Sequence, residues 1–214
     1  MVAFVLADAR TTVSRLPRLL VGLVLCGVGI ALMVASDLGL SPWDVLHQGI
    51  SNRSGVAIGT VGILVGFVVL LAWIPLREPY GIGTVLNVLL IGATIDIVLP
   101  LLPEHPSTAT QWVFLLVGAL LFGPAGALYI GCGLGAGPRD GLMTALAKRG
   151  WSIRLVRTAM ELTVLVLGWV LGGSVGIGTL LFALTIGPNT HFFLERLSLE
   201  PVSTVHPGPV IEIE

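Results

Sequence analysis

Apolar residues fill six long blocks of this chain, roughly 19–36, 56–74, 82–102, 112–132, 153–171 and 175–194. Each is long enough to cross about 30 Å of hydrocarbon as a helix rising about 1.5 Å per residue. None has the alternation of a barrel strand, so helices are the predicted element. Between the blocks lie a short link at 75–79, a polar turn at 103–111 and a tight Gly-Gly-Ser at 172–174. Two further connecting segments resemble each other. LGLSPWDVL over 38–46 and LGAGPRDGL over 134–142 both fit L-G-x-x-P-x-D-x-L.

The correspondence extends well beyond nine residues. Shifted by 96, Ala31-Leu32 falls on Ala127-Leu128 and Gly39 on Gly135. Shifted by 95, Gly81-Ile82-Gly83-Thr84 falls on Gly176-Ile177-Gly178-Thr179, and Gly92 on Gly187. The pattern predicts an all-α polytopic membrane protein with six transmembrane helices in two repeats of three. Each repeat also carries a short broken or re-entrant half-helix. Three crossings is an odd number, so the second repeat would enter the bilayer inverted, as in many secondary transporters. The expected divisions are a cytoplasmic N-terminal segment at 1–17, repeats at 18–107 and 108–197, and a disordered cytoplasmic tail at 198–214.

Helix-start chemistry explains the repeated motif. Ser41 suits an N-cap, Pro42 the first helical position and Asp44 the N3 place of a capping box. Gly137, Pro138 and Asp140 take the same places in the second copy. The helices so started, ending near 50 and 148, are too short to span. Capping alone accounts for every residue type in the motif. Alternatively, both half-helices dip towards the midplane and aim their N-terminal dipoles at one polar site. The sequence leaves both readings open.

Composition agrees with a bilayer as solvent. The chain has 214 residues, of which 55% are hydrophobic and 11% charged. Its mean hydropathy is +0.98, whereas soluble domains carry about 25% charged residues. A secretory leader is not expected, because the first apolar block exceeds the 7–15 residues of a typical leader core and has an internal counterpart. With the N-terminus in the cytoplasm and six crossings, ten of the eleven Lys and Arg residues lie on the cytoplasmic side, leaving Arg53 outside. The expectation is therefore a multi-pass inner-membrane protein with both termini cytoplasmic. Cys26 and Cys132 fall in apolar runs and give no zinc or disulfide spacing. There is no basic stripe with interleaved aromatics, so nucleic acid is not an expected partner.

The two L-G-x-x-P-x-D-x-L segments and the paired G-I-G-T turns resemble the YczE-like group of bacterial membrane proteins, related to the YitT and YyaS group. The resemblance covers about 18–196. It implies a polytopic inner-membrane protein, often supposed to be a transporter, and brings no ligand or catalytic residues with it.

Ionisable groups inside apolar blocks are costly and point to function. Arg154, Arg157 and Glu161 stand at i, i+3 and i+7 on one helical face, and the last two can pair. They could simply snorkel and neutralise each other. With Asp44, Arg139 and Asp140 they could instead line a site for a carboxylate- or phosphate-bearing solute. Asp96 and its repeat partner His191 are candidates for proton coupling, or for ordinary interhelical hydrogen bonds. Trp43 and His47 fit interfacial anchors. Gly55/Gly59, Gly62/Gly66 and Gly168/Gly172 are small-xxx-small pairs that favour packing within the bundle and also allow a homodimer face.

The expected function is a transporter or permease for a small polar solute, with anions among the candidates, and the lipid bilayer is the other partner. A non-catalytic membrane-embedded regulator or assembly partner is the alternative. An enzyme is not expected, since no nucleophile constellation accompanies the aspartates. Neither a cofactor nor a metal is expected.

Overall fold

Residues 9–199 are described by the computed structural model. Within them the chain forms α1 (Ala9–Ser36), α2 (Pro42–Ser54), α3 (Ile58–Leu76), α4 (Ile82–Val98), α5 (Thr108–Ile130), α6 (Pro138–Ala147), α7 (Ile153–Val170) and α8 (Ile177–Leu197). A 3-10 turn at Leu99–Leu101 extends α4. Each apolar block becomes a long helix, and each motif starts a short one. The described residues contain five helices long and apolar enough to cross a membrane: α1, α3, α4 with its 3-10 turn, α5 and α8. Helix α7 is long enough, but it carries Arg154, Arg157 and Glu161 among its 18 residues.

Two boundaries differ from the sequence reading. Helix α1 starts at Ala9 and runs through Pro17, so it begins within the expected N-terminal segment of 1–17. Its first turns are held against the bundle, with Arg15 donating to the Cys132 carbonyl at 2.9 Å and Arg18 to that of Leu197. Helix α2 continues to Ser54, where Gly55 at φ 72° closes it by donating to the Ser51 carbonyl. Of the expected tail, Ser198 and Leu199 are described, and Leu199 N donates to the Gly131 carbonyl at 2.9 Å. Its remainder, 200–214, lies outside the described residues, as do 1–8.

Helices α1 and α5 form the central pair and meet through small residues. A Cβ on Gly22 would come within 2.9 Å of the Ala125 carbonyl oxygen, and one on Gly118 within 2.7 Å of that of Gly29. These contacts are equivalent at the 96-residue offset. Helix α4 flanks α1, and α8 flanks α5. The short helices cross over: α2 packs mainly on α7, and α6 packs on α3 as well as on its own neighbour α7.

The same exchange governs the backbone. Gly83 N, at the start of α4, donates to the Leu134 carbonyl at 2.9 Å. Gly178 N, at the start of α8, donates to the Leu38 carbonyl at 2.8 Å. Each G-I-G-T turn thus grips the L-G-x-x-P segment of the other copy. Gly39 and Gly135 have φ of 112° and 128° and sit against those turns, where a side chain would be strained and would collide. At the far ends of the short helices, Arg53 Nε donates to the Leu171 carbonyl at 3.2 Å and Arg149 Nη2 to the Leu76 carbonyl at 2.9 Å. These arginines are also 96 residues apart, and each caps the C-terminus of a helix from the other copy.

One contact lacks its counterpart. Helices α3 and α4 pack backbone to backbone, and a Cβ on Gly92 would come 2.5 Å from the Gly59 carbonyl oxygen. At the 95-residue offset Gly59 becomes Arg154, too large for such an approach. Helices α7 and α8 accordingly stand apart.

Candidate functional site

The starts of α2 and α6 meet inside the bundle. Ser41 Oγ accepts from Asp44 N at 3.4 Å and donates to the Asp44 carboxylate, and both residues are only 2% exposed. In the second copy Tyr129 replaces the missing hydroxyl. Gly137 N donates to Tyr129 Oη at 3.0 Å, and that hydroxyl donates to Asp140 Oδ2 at 3.0 Å. The capping box is therefore completed by a side chain from α5. The Arg139 guanidinium lies 4.9 Å from the centroid of the Trp43 ring, and these two residues are equivalent at the 96-residue offset. Arg139 is close enough to Asp44 to act on its charge, and Cys26 of α1 lies near Asp44, Arg139 and Asp140.

Trp43 and His47 face the interior of the bundle and not lipid headgroups or water. They are buried at 8% and 7% exposure, because the face of α2 that carries them is covered by neighbouring helices. His47 packs over Gly62 of α3, and its Nδ1 lies 3.5 Å from Asp44 Oδ1. Neither His47 nor Tyr129 was among the residues expected at a site. A usable signal existed: at the 96-residue offset His47 aligns with Met143, and Tyr129 with Met33. A polar residue standing opposite methionine at this offset marks a position where the two halves differ in chemistry.

The other half of the expected set lies in the gap between α7 and α8. Arg157 Nε bonds Glu161 Oε1 at 3.0 Å, and both are about half exposed. Together with Pro42, Phe182, Ala183, Ile186, Gly187 and Pro188 they line a cavity of about 280 Å³. Pro42 is the first residue of α2, so the cavity reaches the start of that helix. Pro188 has no N–H and leaves the Leu184 carbonyl without its helical donor. Elsewhere such a gap is filled: Asn189 Nδ2 donates to the Leu120 carbonyl at 3.1 Å, the group deprived by Pro124. Arg154 is exposed on α7, outside the cavity lining. The structure thus divides the six candidates into a central trio of Asp44, Arg139 and Asp140, a cavity pair of Arg157 and Glu161, and a separate Arg154.

Asp96 and His191 occupy unlike settings. Asp96 accepts from Gly59 N at 2.6 Å and from Thr60 N and Oγ1 at 2.7 Å each, capping the first turn of α3 from α4. His191 is exposed, with Nδ1 3.6 Å from Glu195 Oε1. A wider crevice of about 620 Å³ lies at the end of the molecule where α1 ends and α5 starts, lined by Asp37, Glu104, His105 and several prolines.

An all-helical bundle with five bilayer-length apolar helices makes this an integral membrane protein. The chain belongs to the family described as "Family of unknown function (DUF6198)", which matches residues 13–195. It is similar to an uncharacterised protein of Haemophilus influenzae, 42% identical over 184 residues that cover 86% of this chain and 84% of the relative. It is also similar to the Bacillus subtilis "Uncharacterized membrane protein YczE", 35% identical over 82% of this chain and 83% of the relative. Likeness to the uncharacterised protein YyaS of Bacillus subtilis is 29% over 81% of this chain and 89% of the relative. The YczE-like resemblance read from the motifs is therefore correct. No solved structure matches.

Proposed function

We propose that this protein is a multi-pass transporter or permease of the inner membrane, moving a small anionic solute. In this reading α1, α3, α4, α5, α7 and α8 are the spans, in two inverted repeats with both termini cytoplasmic. The reciprocal grips of Gly83 on Leu134 and Gly178 on Leu38 support such a two-fold arrangement. The observation that carries the function is the cavity of about 280 Å³ between α7 and α8. Its wall combines an arginine, the start of a half-helix and a proline break, the parts from which transporters build anion sites at discontinuous helices.

Arg157 is paired with Glu161 in the structure. An entering carboxylate or phosphate replaces Glu161 as its partner, forming a charge-assisted pair, while the α2 dipole favours the same charge. The volume lies near the lower end for small-molecule sites, about 300 Å³, and so selects small solutes. A regulator would need no such cavity.

The test is a thermal-shift screen of the detergent-purified protein against small carboxylates and phosphates. A ligand at a hundred times its Kd stabilises the folded state by about 2.7 kcal/mol. The expected result is a rise in melting temperature with at least one of these anions, abolished in Arg157→Ala. No shift with any of them, or an undiminished shift in Arg157→Ala, would overturn the assignment.

A further inference from the structure

The central cluster holds an uneven set of charges. Asp44 and Asp140 supply two carboxylates, and Arg139 supplies one guanidinium. Charge is expensive in a poorly hydrated interior unless it is balanced. One more positive charge would neutralise the group, and one nearby side chain can acquire it: His47, 3.5 Å from Asp44 and buried beside it.

The two carboxylates are equivalent by repeat but not by surroundings. Asp140 is held by Tyr129, which donates a hydrogen bond and stays neutral through the physiological range. Asp44 is held by the Ser41 hydroxyl and faces an imidazole, the side chain that gains and loses a proton near neutral pH. Other elements add little that titrates. Helix α1 contributes Cys26, α5 contributes Tyr129, and α6 contributes Arg139 and Asp140. Helix α3 offers Gly62 to the imidazole and carries no ionisable side chain. Helix α7 presents Gly168 and Leu171 to α2, and its Arg157 and Glu161 line the cavity at the Pro42 end.

We propose that Asp44 and His47 form a proton-binding pair, a site for one exchangeable proton in the core of the bundle. With the proton bound on the imidazole, the two side chains are a neutral ion pair and Arg139 balances Asp140. Once the proton leaves, the cluster keeps one negative charge that only water or an incoming cation can offset. Occupancy of the site therefore follows access of water to the cluster. This holds whether or not the α7–α8 cavity takes a solute, and it needs no substrate to test.

Infrared spectroscopy of the full chain in lipid, followed through pH, reads the carboxyl groups directly. The expected result is a protonated-carboxyl band that is lost in Asp44→Asn and retained in Asp140→Asn. In His47→Gln the midpoint of that band should rise by about one pH unit or more, because a cationic neighbour favours the carboxylate. An unchanged band in Asp44→Asn, or an unmoved midpoint in His47→Gln, would overturn the proposal. Should Asp44→Asn fail to fold, the His47→Gln midpoint decides alone.

Discussion

Gly141 lies under the Trp73 ring, whose Nε1 donates to the Pro138 carbonyl at 3.0 Å. A Cβ at 141 would collide with that ring, which is only 1% exposed and has no room to move. Gly141→Ala is therefore expected to cost about 1–3 kcal/mol, the usual penalty of overpacking, seen as a lowered melting temperature. Asp96→Ala removes the side chain that caps the start of α3, where the N-cap residue Ala57 offers none. The expected loss is about 1–2 kcal/mol, measured by denaturation in detergent. At this scale the sequence was partly legible. Ser41 and Asp44 announced their cap through spacing along one helix. The relay from Gly137 through Tyr129 to Asp140 and the cap of α3 by Asp96 join different helices, and spacing says nothing about such partners.

At the scale of elements, the short helices are fastened at both ends to the opposite copy. On one side Asn52 and Arg53 bond the carbonyls of Gly172 and Leu171. On the other Arg149 caps α3 and Lys148 Nζ reaches both oxygens of Glu78 at 2.9 Å. Glu78 is only 6% exposed, so Lys148→Ala strands a carboxylate that is poorly hydrated. That substitution should destabilise by about 1–3 kcal/mol, and the double variant Lys148→Ala with Glu78→Gln should recover part of the loss. Recovery is measured by comparing the three melting curves. Hydrophobic blocks located every long helix, because burial in lipid or bundle requires apolar residues all along them. They could not locate the start of α1, where Arg10, Arg15 and Arg18 read as polar flank although two of them bond the bundle. The charged residues of α7 stand where the first copy is apolar, which marks the two halves as unequal. That a cavity opens between α7 and α8 depends on helix spacing, which no local pattern specifies.

At the scale of the whole molecule, the proposed arrangement is a statement about topology. The proposed inverted repeats would place 53 and 149 on opposite faces of the membrane, and the capping arginines at these equivalent positions make the pair a direct test. Reporter fusions after 53 should be active outside the cytoplasm, and fusions after 149 active within it. Reporters active on the same side would remove the inverted arrangement. The exchange of short helices also bears on how the chain is made. Helix α2 has most of its contacts with α7, and α3 meets α6, so neither can be completed while only the first copy has been translated. A nascent chain released from the ribosome near residue 107 would present buried Trp43, Asp44 and His47 to lipid with nothing to cover them. Assembly must wait for the final third of the polypeptide, and truncated products of this gene should be destroyed by membrane proteases instead of accumulating as half-sized folded proteins.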